Sequence, residues 1–168
     1  EKIGEIIKAV DDSGQRDNTL ILFFSDNGGQ NPSSDDSRRY PDTKPTSKFK
    51  GMNTPLRGWK VQTYEGGMRV PAFVNWPGTL KPGRSDALLS VTDWMPTLCA
   101  LTGFKPTANL KWDGRNIWPM IRDPSKANRD RTLYCKGPGG RTRMVINDGW
   151  KLIEIKNGER FELYHLDD

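Results

Sequence analysis

The sequence predicts an α/β protein that carries a second, small antiparallel sheet at its C-terminal end. Three observations lead there. Ile3, Ile6, Ile7 and Val10 recur at the spacing of a helix with one buried face, and after a short polar stretch comes the apolar run Thr19–Phe24. Helix, loop and strand in that order make half of an α/β unit, and a strand apolar on both faces is the mark of a parallel sheet covered by helices. The final third instead offers three short β-rich runs separated by "NDG" and "KNG", which are hairpin turn signals.

In order along the chain, the first helix should stop at the polar stretch Asp11–Asn18, which contains Gly14. The strand Thr19–Phe24 follows and ends at Ser25, Asp26, Asn27, Gly28 and Gly29; open α/β sheets gather ligands at such carboxyl ends. Residues 31 to 58 hold Pro32, Pro41, Pro45 and Pro55 with no periodicity, and a loop of that length is functional or disordered. Val70–Trp76 reads as a second strand, closed by the turn "PGTLKPG". Asp93 reads as the N-cap of a helix over Trp94–Leu101, with Pro96 in its first turn and Gly103 as its stop. Leu88, Leu89, Val91, Trp94, Leu98 and Leu101 are its apolar contacts. Thr142–Ile146, Trp150–Ile155 and Phe161–Tyr164 then form an antiparallel meander. Antiparallel strands of this kind do not join a parallel sheet without long crossovers, so a separate sheet is expected. Residues 1–125 are read as one α/β portion and 126–168 as the small β subdomain. No internal repeat is visible.

The chain has 168 residues and a net charge of +5, a modest excess that favours anionic ligands. Arg38, Arg39, Lys44, Lys48, Lys50, Arg57 and Lys60 are opposed within their stretch only by Asp42. Aromatics are not interleaved with these cations as stacking platforms, which argues against nucleic acid. No apolar run approaches the ~18 residues of a membrane span, and no leader opens the chain. The first residue is Glu1, so the sequence reads as a processed chain, a fragment or a partial one, and its compartment is not legible. Cys99 and Cys135 lack metal-ligand spacing; Cys99 reads as a buried free thiol, with a mutual disulfide as the alternative. His165 is given no role.

The stretch "LILFFSDNGGQ" has two chemical readings. Asp-Asn-Gly is good turn chemistry. An Asp carboxylate and an Asn amide carbonyl are also two hard oxygen ligands of the kind Ca²⁺ takes. Gly28 and Gly29 would let the backbone turn sharply behind them.

Taken together, "FFSDNGG", "LRGWKVQTYEGGMRVPAFVNWPG", "VTDWMPTLCALTG" and "DGRNIWPMI", in this order and spacing, resemble the C-terminal part of type I sulfatases. These are the formylglycine-dependent sulfuric ester hydrolases of the alkaline phosphatase superfamily. The tail "GWKLI…FELYHLDD" resembles their C-terminal subdomain, so the likeness covers nearly the whole chain, and it is nearest to arylsulfatases of the N-acetylgalactosamine-sulfate type and to bacterial polysaccharide sulfatases. It implies part of an alkaline-phosphatase-like mixed or parallel sheet flanked by helices. It also implies a calcium site completed by Asp26 and Asn27, and a sulfate-contacting lysine at Lys60, where a fixed ammonium neutralises charge on the transferring group. Most members carry Gly after that lysine; this chain carries Val61. Glu65, Gly66, Gly67 and Arg69 are expected to shape the loop, a Glu–Arg pair there being structural.

The family's nucleophile arises from a Cys/Ser-x-Pro-x-Arg motif, which neither "ALTGF" after Cys99 nor "KGPGG" after Cys135 provides. By the resemblance, that group and the other calcium carboxylates belong to an N-terminal half, the partner this chain would need. The substrate would be a sulfated small molecule or glycan, the location extracytoplasmic, and the chain alone inactive. The alternatives are a phosphodiesterase or phosphonate hydrolase of the same superfamily, where His would more often stand at position 27, and a non-catalytic sulfatase-like binding protein.

Overall fold

The computed structural model describes residues 2–31, 51–108, 110–127 and 130–168. The basic stretch from Arg38 to Lys50 lies outside the described residues. The elements in order are α1 (Lys2–Asp12), β1 (Ile21–Phe24), α2 (Glu65–Met68), β2 (Ala72–Asn75), α3 (Trp94–Thr102), α4 (Trp118–Arg122), β3 (Thr132–Lys136), β4 (Thr142–Asn147), β5 (Trp150–Ile155) and β6 (Arg160–His165). β1 and β2 pair as a two-stranded sheet, and β3–β4–β5–β6 form a four-stranded one. Each strand of a two-stranded pair has only one ladder neighbour. β1 is also not buried on both faces as the sequence suggests: three of its residues are half-buried, and Phe24 is 37% exposed.

By their contacts the residues form two compact units, 1–22 with 73–131 and 23–72 with 132–168. In the first, α1 follows the predicted period and runs to Asp12, but none of its residues is buried and Ile6 is 62% exposed. A 3.6-residue period fixes which face is apolar; burial needs a surface to cover it. Trp76 donates its indole N–H to the Asp17 carbonyl at 2.8 Å, and its ring lies 5.8 Å from that of Trp118.

Asp93 stands at the N-cap position of α3 as the sequence suggests, but its side chain makes no cap bond to that helix. A 3₁₀ turn, Val91–Asp93, precedes α3; Ser90 caps that turn, and Asp93 is the third residue of its capping box. Asp93 Oδ2 accepts from the Ser90 N–H at 2.7 Å, and Ser90 Oγ accepts from the Thr92 N–H at 3.4 Å. The carboxylate is fully buried and also accepts from the Arg115 N–H at 3.0 Å and from Arg131 Nη1 at 2.6 Å. Thr97 donates to the Asp93 carbonyl and accepts from the Ile117 N–H, so α3 holds the start of α4 through buried hydrogen bonds. Gly103, at φ 69°, ends α3 in the left-handed conformation expected of it.

In the second unit the C-terminal sheet has one strand more than the sequence suggests. β3 pairs antiparallel with β4, Leu133 opposite Ile146 and Cys135 opposite Met144. Its five residues alternate but include only one large aliphatic, Leu133, so the period-2 signal is weak. The "NDG" turn joins β4 to β5 with both Asp148 (φ 45°) and Gly149 (φ 77°) in the left-handed region, as a type I′ hairpin requires.

Register places Leu133, Cys135, Met144, Ile146, Lys151, Ile153, Glu162 and Tyr164 on one face of the sheet. Met144, Ile146, Lys151 and Ile153 on that face are buried, while Leu163 on the other is 60% exposed. Cys99 and Cys135 are both free, so the disulfide alternative falls.

Candidate functional site

β1 delivers Ser25 to Gly29 at its carboxyl end, and the loop 51–64 meets them there. Asn53 is the joint. Its Oδ1 accepts from the Gly29 N–H at 2.9 Å, and its Nδ2 donates to the carbonyls of Gly29 at 3.2 Å and Gly58 at 2.9 Å. The Lys60 N–H donates to the Gly29 carbonyl at 2.9 Å, so the backbone of the lysine is tied directly to the strand end. Sequence reasoning passes over Asn53, because a single Asn before Thr-Pro in a long loop reads as ordinary turn chemistry.

The glycines have a use other than the one expected. Gly28 and Gly29 are absent from the positive-φ positions, so no left-handed turn demands them. Instead a Cβ on Gly28 would lie 1.8 Å from the Gly66 carbonyl oxygen, and one on Gly66 would lie 2.3 Å from that of Gly58. The Gly28 N–H donates to the Gly67 carbonyl at 3.1 Å. Two glycine pairs allow backbone to meet backbone where side chains would hold the segments apart. Close packing also explains why Glu-Gly-Gly-Met forms the short helix α2 despite the low helix propensity of glycine.

Positive φ falls instead on Gly58 and Val61 of the loop. Val61 has φ 72°, where a β-branched side chain is a true outlier, at the position where the resemblance leads one to expect glycine.

These segments enclose an open depression of about 390 Å³ whose walls include Asn27, Asn53, Lys60 and Arg69. Two cations and no carboxylate of the described residues line it, an arrangement suited to an anion. Of the predicted site residues, the structure brings Asn27 and Lys60 to this depression. Asp26 is exposed at the same strand end and is not among the lining residues. Asn27 Nδ2 donates to the Gly28 carbonyl at 2.9 Å, which leaves its Oδ1 as the oxygen to offer a ligand. Among the described residues no three of His, Cys, Asp and Glu cluster as a metal site.

Glu65 does not pair with Arg69. Its partner is Lys151 of β5, whose Nζ lies 2.7 Å from Glu65 Oε1 and which is 1% exposed. A second polar group gathers around Glu162 of β6, which accepts from the hydroxyls of Tyr164 and Tyr64. The Tyr164 hydroxyl, then that of Tyr64 and the guanidinium groups of Arg160 and Arg57, hold the Glu162 carboxyl below its usual range. Burial and the bond to Glu162 push the Tyr164 phenol up. The His165 ring meets that of Trp150 at a tilt of 59° with centroids 4.7 Å apart, a structural contact.

The sulfatase family model matches residues 1–104. The chain is 40% identical over 167 residues to an N-acetylgalactosamine-6-O-sulfatase of Bacteroides thetaiotaomicron, a match covering 96% of this chain and 30% of that protein. With human arylsulfatase A it shares 35% identity over 132 residues, 79% of this chain and 23% of that one. Among solved structures, one described as Ps i-CgsB in complex with k-i-k-neocarrahexaose superposes with a TM-score of 0.79 at 29% identity, covering 98% of this chain and 34% of that one. A phosphonate monoester hydrolase of Silicibacter pomeroyi, at 20% identity and a TM-score of 0.63, shares the fold. The chain thus spans between about a fifth and a third of the relatives it matches. A family match over more than half its length, with the Asp-Asn-Gly-Gly strand end and the lysine loop joined as described, leaves one assignment: the chain belongs to the sulfatase family.

Proposed function

We propose that this chain is the C-terminal portion of a sulfuric ester hydrolase, in which Lys60 contacts the sulfate group and Asp26 and Asn27 complete a calcium site. The observation that carries the reading is the cation-lined depression at the end of β1, where Lys60 and Asn27 share a wall. The domain partition that goes with it is a catalytic α/β portion at 1–125 and a β subdomain at 126–168.

The donors fit a hard cation. The exposed Asp26 carboxylate, beside the depression and not in its lining, and the Oδ1 of Asn27 are oxygens, and among the described residues no thiol or imidazole lines the depression. Bound there with carboxylates of the N-terminal half, Ca²⁺ would supply positive charge to the sulfate oxygens. Lys60 does the same through its ammonium, which the Lys60–Gly29 backbone bond holds near the strand end. Arg69 adds a second cation to the wall. The attacking oxygen would come from the formylglycine of the N-terminal half.

The substrate class is a sulfated carbohydrate or aryl sulfate, by the names of the relatives, and the location extracytoplasmic. Among the described residues no helix is long and apolar enough to cross a membrane. Asn27, in place of histidine, speaks against a two-metal phosphodiesterase.

The test is to express the full-length protein and compare hydrolysis of 6-sulfated N-acetylgalactosamine, an aryl sulfate and an aryl phosphodiester. Sulfate ester turnover that falls with Asp26→Ala, together with weaker Ca²⁺ binding by calorimetry, is expected. Faster diester hydrolysis would establish the phosphodiesterase alternative. A full-length sequence without Cys/Ser-x-Pro-x-Arg, and no turnover, would leave the binding protein.

A further inference from the structure

The segment that carries Lys60 is a loop with a narrow neck. The Gly66 N–H donates to the Arg57 carbonyl at 2.7 Å, closing the loop, and Lys60 stands near its tip. Side chains at the neck all reach to the inward face of the C-terminal sheet. Arg57 lies over the Tyr64 ring at 4.1 Å and donates to the Tyr164 hydroxyl at 2.6 Å and to Glu162 at 3.3 Å. Tyr64 donates to the other oxygen of Glu162 at 3.3 Å, and Glu65 accepts from the buried Lys151 at 2.7 Å. Lys151 and Tyr164 are directly opposite in the β5–β6 ladder, and Glu162 faces Ile153 two pairs along, on the same face. An ion pair through Lys151 of β5 and a carboxylate cluster around Glu162 of β6 therefore grip the neck of one loop.

A lysine in the buried face of a sheet is an unusual choice. Its charge must be matched, and an apolar residue would pack there at no electrostatic cost. What the ion pair adds is a fixed direction. Glu65 opens α2, whose Gly66 and Gly67 meet Gly28 and the lysine loop at backbone contact. The pair sets the height at which α2, and with it the loop neck, stands over the sheet.

We propose that Lys151 and Glu162 are positioning residues for Lys60: the C-terminal sheet is a clamp that holds the sulfate-contacting loop in register with the end of β1. The inference rests on the role given to Lys60 above. It assigns the small sheet a part in catalysis without any contact to substrate. Misplacement of a reacting group by about 1 Å can cost on the order of 10²-fold in rate.

The experiment is a double-mutant cycle in the full-length enzyme with an aryl sulfate. Lys151→Met and Glu162→Gln are each expected to lower kcat by about 10- to 100-fold with KM little changed. In a Lys60→Ala background neither substitution should lower kcat further, since nothing remains to be positioned. A merely structural role removes active protein in both backgrounds alike, so its factor would multiply. Arg143→Gln, which breaks the exposed pair with Glu154 on the other face of the sheet, should leave kcat unchanged. Multiplying effects with an intact Lys60→Ala loss would overturn the clamp alone. An unchanged kcat in Lys60→Ala would overturn the role of Lys60 and the clamp with it. Should Lys151→Met fail to fold, the cycle with Glu162→Gln decides by itself, because that carboxylate is partly open to solvent.

Discussion

Val61 concentrates the residue-scale physics of this site. Its φ of 72° costs a side-chain-bearing residue about 1–2 kcal/mol, and 65% of its surface is open, so little packing offsets the strain. Glycine would relieve that strain while losing roughly 0.5–1 kcal/mol more backbone entropy on folding. Val61→Gly should therefore stabilise the protein by up to about 1 kcal/mol, read as a higher midpoint in urea. A lower midpoint would mean that this backbone is not held left-handed. Lys60, one residue earlier, is a matter of chemistry and not of strain. Lys60→Ala in the full-length enzyme should lower turnover by about 10²–10³-fold, the scale for losing one fixed electrostatic donor. A loss no larger than that of Arg143→Gln would place Lys60 away from the reacting group.

Among the elements, the contact of β1, the lysine loop and α2 depends on the absence of side chains. Gly66→Ala would press a methyl group against the Gly58 and Arg57 carbonyl oxygens, both backbone and unable to swing away. Overpacking of this kind costs typically about 1–3 kcal/mol and here stands at the upper end, so a large loss of soluble, folded protein is expected. Normal expression and melting of Gly66→Ala would show that the segments are not so close. The Glu162 cluster on β6 should respond to pH. Its carboxyl is held below the usual value of 4.5, so its contribution to stability is present above that value and is lost as pH falls through the lowered one. The difference in melting temperature between the wild type and Glu162→Gln should thus be largest at neutral pH and shrink in acid. A difference that grows on acidification would contradict the assigned bonds.

For the molecule as a whole, the expectation is that these 168 residues alone hydrolyse no sulfate ester. Neither cysteine lies in a Cys/Ser-x-Pro-x-Arg sequence, and the described residues assemble no three-ligand metal cluster. The purified chain should show no turnover of a chromogenic aryl sulfate, with or without calcium, beyond that of its Lys60→Ala variant. Activity above that control would demand a nucleophile within the chain. Integrity of the unit formed by 1–22 and 73–131 rests on Asp93, which satisfies two backbone amides and Arg131 at once. Asp93→Ala would strand the largely buried guanidinium of Arg131 and should cost about 3–5 kcal/mol by chemical denaturation. A cost below about 1 kcal/mol, the range of surface pairs, would mean that water replaces the carboxylate.

What the sequence determined by itself was whatever depends on near neighbours. Helix period set α1, Gly103 ended α3, and the "NDG" and "KNG" turns set the β4–β5–β6 meander, because turn dihedrals and side-chain periods are local properties. The motifs also sufficed to place the chain in its family. The tertiary structure alone decided the rest. It showed that Gly28 and Gly66 serve close approach and not a turn, that Glu65 answers Lys151 eighty-six positions away, and that Asn53 joins the strand end to the lysine loop. It also added β3 to the sheet and left the apolar face of α1 uncovered. Each of these depends on which distant segment arrives at a given place, and a local pattern carries no distance.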